Sequence, residues 1–237
     1  MKIAIHQPDL LPYSGFWFKI ATSDAFVLAE HDQFQKHGYQ RRVQMRQSWC
    51  SHQLVGKPAL IPINKVEVQP GWQQRLVDVI TGRYRGSRHW SRRGAELVAR
   101  IQDSSGHTLA EVNRGLIEVV ADMLAITTPI VVTPPPELAG IERLIEQCSM
   151  VGATEYLSGT GGTAYMGEDA TQRFAQAGVT LTWSAHQMTT GDSIVTVLMD
   201  HDNPMDVVLR EIPPPANLGV YQHTSTPDHD DVAREFR

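Results

Sequence analysis

The first 42 residues constrain the fold more than any other stretch. Ile3-Ala4-Ile5 is a short apolar run that ends in the polar cluster His6-Gln7-Pro8-Asp9. Pro12-Tyr13-Ser14-Gly15 forms a turn, and the segment from Gly15 to Ser23 carries Phe16, Trp17, Ile20 and Ala21, as a helix packed on a sheet would. Phe26-Val27-Leu28 is a second apolar run, followed by His31, Asp32, Gln33, Lys36, His37 and Arg41-Arg42. A strand–loop–helix–strand unit of this kind sets the carboxyl ends of two neighbouring parallel strands side by side. Open α/β sheets bind their ligands at that edge. The chemistry is expected at the start of the chain.

The remainder alternates strands with helices. Residues 39–70 read as β-rich, with 59–63 as one strand and Val66-Glu67-Val68 alternating after it. Trp72 to Tyr84 reads as a helix. Thr108-Leu-Ala-Glu111 is a capping-box sequence opening a long helix with Leu109, Val112, Leu116 and Val120 on one face. Ile130-Val131-Val132 reads as a buried strand broken off by Pro134-Pro135-Pro136. A helix over Glu137 to Val151 follows, closed by Gly152. Strands are expected at 155–157 and 179–183, with a short helix from Asp169 to Ala177 between them. The fold class is therefore α/β: a largely parallel, Rossmann-like sheet flanked by helices, with a helical middle section over about 72–126. Residues 1–212 are expected to form a single catalytic domain. The Pro-, Asp- and His-rich stretch 213–237 is expected to be an extended tail.

Composition excludes several classes. The net charge of −5 offers no global basic field for a nucleic acid backbone. No apolar run approaches the roughly 20 residues of a membrane helix. No signal peptide is expected, because the first apolar run is short and ends at His6, and two cysteines make neither a disulfide framework nor a metal quartet. A reducing cytoplasm is the expected compartment. Cys148 lies on an apolar helix face and reads as inert. Cys50, in a predicted loop, has no feature that would activate its thiol. Arg83, Arg85, Arg88, Arg92 and Arg93 form a local basic patch that suits a carrier protein's acidic surface or a solvated helix end.

Two blocks carry candidate site residues. In the first, His6 is a candidate base and Gln7 a ligand-reading amide. Tyr13 and the N–H groups near Gly15 could stabilise negative charge. His31 with Asp32 is a candidate acid/base pair. Gln33, Lys36 and Arg42 are candidate clamps for a phosphate or carboxylate. His31 and His37 lack a recognised metal-ligand spacing, so no metal is expected. In the second block, Ser158-Gly159-Thr160-Gly161-Gly162-Thr163 follows a strand, and Tyr165 lies just beyond. Such glycines allow close backbone approach, and successive N–H groups can cradle an anion.

The motifs His-Gln-Pro-x3-Pro-Tyr-x-Gly-Phe, Asp-x-Phe-Val-Leu, Gln-Phe-x-Lys-x2-Tyr-x2-Arg and Gly-Ala-x2-Tyr-Leu-Ser-Gly-x-Gly-Gly-x2-Tyr occur in that order. Together they resemble the WbqC-like family. The resemblance implies a place in surface-polysaccharide (O-antigen) or specialised-metabolite biosynthesis. It also implies transfer of an acyl or aminoacyl group, such as glycyl, to an amine. The chain departs from the family pattern at Glu30-His31-Asp32, at Arg41-Arg42 and in a shortened region after Trp183 that holds His186-Gln187-Met188.

The leading expectation is an amide-forming acyl- or aminoacyltransferase using a thioester-linked donor and a small-molecule amine acceptor, with an acyl or peptidyl carrier protein as a candidate partner. The alternatives are an ATP-dependent ligase or nucleotidyltransferase-like enzyme, and a non-catalytic module that binds a carrier protein or a nucleotide sugar.

Overall fold

A computed structural model describes residues 1–212, apart from the side chains of Ala164 and Tyr165. The expected tail, 213–237, lies outside the described residues. The chain opens with β1 (Lys2–His6), α1 (Ser14–Ala21) and β2 (Ala25–Leu28), then a hairpin of β3 (Arg42–Met45) and β4 (Ser48–Ser51). The helical middle follows as α2 (Trp72–Tyr84), α3 (Ala95–Asp103) and α4 (Leu109–Met123), with a π-helical turn at Trp90–Gly94. The chain then runs through β5 (Ile130–Val131), α5 (Gly140–Met150), β6 (Glu155–Ser158), α6 (Thr163–Met166), α7 (Ala170–Gln176) and β7 (Thr180–Trp183). It ends its described part in α8 (Ile194–Asp200) and α9 (Pro204–Val208).

Five strands form one parallel sheet in the order β5-β2-β1-β6-β7. In chain order these are the third, second, first, fourth and fifth strands of the sheet, the doubly wound arrangement of an α/β fold. The strand order reverses between β1 and β6. At such a switch point the crossovers leave to opposite faces, and a crevice opens beyond the strands' carboxyl ends.

Alternation along the strands separates two cores. Ile3, Ile5, Val27 and Tyr156 face α5 and α7, meeting Leu144, Cys148 and Phe174. Ala4, Phe26, Leu28 and Leu157 face the other way, into a larger core with α1, the middle helices and α8. Eight residues are too few for a stable isolated helix, so α1 is held by burial: Phe16, Trp17 and Ile20 are fully inaccessible. Each contributes about 1.5–3 kcal/mol when removed from water.

Local signals account for several boundaries. The capping box at α4 forms: Glu111 N donates to Thr108 Oγ1 at 3.3 Å, and Thr108 N donates to the Glu111 carboxylate at 3.0 Å. Gly152 (φ 68°) closes α5 in the left-handed conformation that glycine adopts without strain.

Four expectations need correction. Residues 59–63 are not a strand. Leu60 is exposed with φ 56°, Pro62 makes only an isolated bridge to Gln33, and Ile63–Lys65 is a 3-10 turn. Proline has no N–H to give a ladder, so an apolar segment that contains Pro62 bends instead of pairing. The strand at Ile130 is a half-buried edge of two residues rather than a buried strand. Helix α5 begins at Gly140 rather than Glu137, because the Glu146 carboxylate accepts the Glu137 and Leu138 N–H groups and holds 137–138 outside the helix. Cys50 lies in β4 rather than in a loop. It is buried, and burial raises its thiol pKa.

The β3–β4 turn places Arg46 and Gln47 at φ 53° and 61°. Left-handed backbone is costly for such residues. Asp192 offsets that cost by accepting Arg46 N at 3.0 Å and Gln47 N at 3.3 Å.

Candidate functional site

His6 ends β1 beside the switch point. Its Nδ1 lies 3.0 Å from the Gln7 carbonyl oxygen and 3.6 Å from an Asp9 carboxylate oxygen. A carbonyl can only accept, so Nδ1 carries the hydrogen and Nε2 is left as the acceptor nitrogen. Phe16 packs edge-on against the ring at 5.1 Å. Burial, and then the charge of Lys19, lowers the imidazole pKa to about 3. The side chain keeps 29% exposure, and the downward shift leaves His6 neutral at pH 7.

Asp9 and Lys19 share this environment, and both are nearly inaccessible. Burial raises Asp9 to about 7 against the opposing pull of Lys19. Burial lowers Lys19 to about 8 against the support of Asp9. Helix side chains lean toward the helix N-terminus. Lys19 therefore reaches back along α1 to the sheet's carboxyl edge, where its Nζ lies 4.0 Å from the position a Cβ on Gly159 would take. This lysine joins the two sequence blocks.

Tyr13 is the N-cap residue of α1, and its ring lies 2.7 Å from where a Cβ on Gly15 would stand. Burial, then Asp9 and Tyr39, raises the phenol pKa, which keeps Tyr13 a hydrogen-bond donor at neutral pH. Gln7 is held by two partners. It donates to Asp32 Oδ2 at 3.0 Å and accepts from the Gln40 amide. Arg143 of α5 pairs with the other oxygen of Asp32. The loop after β1 is pinned from beneath by Asn113 of α4, which donates to the carbonyls of Pro8 and Gln40, each at 2.7 Å.

Across the switch point, Ser158 is buried at the end of β6 and donates to the Gly159 carbonyl at 3.1 Å. A Cβ at Gly162 would collide with Ser158 Oγ and lie 2.6 Å from Met166 Cε. Gly162 is therefore required by packing, whereas Gly161 faces open space. Tyr165 falls in α6, but its side chain lies outside the described residues.

The other candidates stand further out. His31 turns to Asn64, with Nδ1 at 3.1 Å from its amide nitrogen. Gln33 and Lys36 are exposed on the loop after β2. Arg42 donates to the His37 carbonyl at 2.9 Å and lies 4.2 Å over the Trp49 ring.

The basic patch is largely committed to the fold. Arg83 donates to the carbonyls of Met45, Ser48 and Trp49. Arg93 donates to those of Leu198, His201 and Asp202, and Arg88 pairs with Asp202. Burial pushes the Cys148 thiol up to about 12.

Two pronounced clefts lie away from the switch point. One, of about 650 Å³, runs between the end of α3 and α4; the other, of about 500 Å³, lies beside α5. Three charged groups of the larger are already engaged: Arg100 with Asp122, Arg114 with Glu30, and Glu111 in the α4 cap. The polar groups at the switch point are buried and shifted in pKa, which makes that edge the stronger candidate. Among the described residues there is no group of three or more His, Cys, Asp or Glu able to hold a metal ion, and no helix long and apolar enough to cross a membrane.

The model of the WbqC-like protein family matches residues 7–190. The chain belongs to that family. The uncharacterized Mycobacterium tuberculosis protein Rv1507c is 26% identical over 191 residues, covering 77% of this chain and 81% of that protein. No solved structure matches the chain. The span matched to the WbqC-like family takes in Lys19 and the Ser158–Gly162 bend, and stops before Asp192.

Sequence reasoning missed Asp9, Lys19, Asn113, Arg143 and His186 in this WbqC-like site. Lys19 left a signal, since it interrupts the apolar run Phe16-Trp17-Phe18 and Ile20-Ala21. His186 lies in the segment after Trp183 and comes back onto α1, with its Nε2 at 2.9 Å from Ser14 Oγ. Asn113 and Arg143 left no signal, because nothing in a helix's periodicity tells which distant loop a polar residue will hold.

Proposed function

We propose that this WbqC-like protein is an amide-forming acyl- or aminoacyltransferase of surface-polysaccharide or specialised-metabolite biosynthesis. The observation that carries the reading is the placing of His6 at the switch point of the sheet, its Nδ1 3.0 Å from the Gln7 carbonyl oxygen and its Nε2 left as the acceptor nitrogen. The amine attacks the donor's acyl carbon, a C–N bond forms, and the C–S bond to the carrier thiol breaks with its electron pair leaving on sulfur. The nitrogen is cationic after attack, and its acidity rises as the C–S bond breaks. The neutral imidazole takes its proton at Nε2 and passes it to the departing thiolate. The Tyr13 phenol is the donor suited to the developing oxyanion.

The test incubates the protein with a glycyl thioester and a panel of amino sugars, and reads amide product by mass spectrometry. Product without ATP supports the reading. Product that requires ATP and releases AMP and pyrophosphate replaces it with a ligase. Tight retention of a nucleotide sugar or carrier with no turnover of any amine replaces it with a binding module.

A further inference from the structure

Lys19 is unusual among the basic residues of this chain. It is 4% exposed, yet among the described residues its Nζ makes no hydrogen bond and closes no ion pair. Asp9 acts on it only electrostatically. The Lys19 Nζ keeps a small contact with solvent rather than being fully enclosed; stripping most of the water from an ammonium that has no partner is costly, and a helix core position can be filled by methionine or leucine at no such cost. A retained cost of this kind marks a group whose partner arrives from outside the chain. The direction is set by geometry: Nζ lies toward the bend after β6, at the edge of the sheet where open α/β folds bind their ligands.

Gly159 supplies the second observation. Its backbone is ordinary, φ −70° and ψ 154°, so glycine is not needed there for conformation. Its two chain neighbours aside, Lys19 Nζ is the one atom of the described residues within 4 Å of the position a Cβ would take. The missing side chain therefore leaves open space directly beside the cation. Lys36 and Arg42, the clamps suggested by sequence, are respectively exposed and stacked on Trp49, so neither supplies a buried charge at this point.

We propose that Lys19 is the anion-binding centre of the switch-point site, receiving a carboxylate or phosphate oxygen of a small ligand in the space beside Gly159. The shared chemistry is a compact anionic oxygen. The inference does not depend on amide formation, so the two can fail separately.

The test follows the Lys19 side chain in full-length protein labelled with ¹³C-lysine, with its Cε signal identified by its loss in Lys19→Met. Its pH titration is recorded alone, with pyrophosphate and with acetate. An upward move of the Lys19 midpoint by half a unit or more with pyrophosphate supports a phosphate-bearing ligand. The same move with acetate supports a carboxylate. In Gly159→Val the response should fall at least tenfold in anion affinity while the melting temperature stays within a few degrees. Lys19→Met should melt at the same temperature or higher, because it relieves a buried charge. An unmoved Lys19 signal with both anions overturns the proposal, as does an undiminished response in Gly159→Val or a Lys19→Met protein that unfolds early.

Discussion

The hairpin of β3 and β4 and the carboxyl edge of β1 and β6 are both rich in charge, and they spend it differently. At the hairpin every charged group has a structural task. Asp192 holds the strained turn, Arg83 fills three carbonyls, and Arg46 pairs with Asp200 through an Nη2–Oδ1 contact of 2.7 Å. At the sheet edge, Asp9 and Lys19 are buried with the half-buried His6 beside them, and burial pushes the pKa of each toward its neutral form. The first region is stabilised by its polar groups. The second carries them at a cost to stability, which is the pattern of a site prepared for a ligand.

The sharpest way to break this contrast is to remove His6. His6→Ala is expected to lower single-turnover amide formation by about 10²–10⁴-fold and leave the melting temperature nearly unchanged. A variant that melts early with normal turnover per folded molecule would move His6 into the structural class. Asp192→Ala should do the reverse. It strips two N–H acceptors from left-handed backbone, so a stability loss of about 2–3 kcal/mol is expected in urea unfolding, with turnover per folded molecule preserved.

The pH dependence of stability sharpens the comparison further. His6, lowered to about 3 from 6.5, adds stability as pH rises between those values, because its neutral form is the one the fold accepts. Asp9, raised to about 7 from 3.8, removes stability as pH rises across nearly the same window, because the fold accepts its protonated form. In the native chain the two slopes oppose each other between about pH 4 and 6.5. Asp9→Asn should therefore unmask an upward slope of at most about 1.4 kcal/mol per pH unit over that range, read by denaturant titrations at several pH values. A flat profile in the variant would mean that His6 titrates normally. The smallest effect is expected at Lys36→Ala, an exposed charge on the site's outer loop. A rise in KM of about 2–5-fold with kcat unchanged, weakening as salt is added, is the outcome expected of a rim charge.

The sequence alone was enough for the elements that local chemistry sets. The apolar runs at β1 and β2, the Thr108–Glu111 cap and the left-handed Gly152 are written in spacing and residue type, because capping and periodicity involve neighbours a few residues apart. Membership of the WbqC-like family was legible for the same reason, its motifs being contiguous. The segment 59–63 shows the limit of that reading: apolar content suggested a strand, and a proline with a left-handed leucine made a bend. Only the folded chain decided which strand lies beside β1, and thereby where the order reverses. Only it brought Lys19 to Gly159, Asn113 under Pro8 and Arg143 onto Asp32. These meetings span 105 to 140 residues of chain and turn on single polar side chains, which carry no periodic signature; they are settled by sheet order and by the packing of helices far apart in sequence.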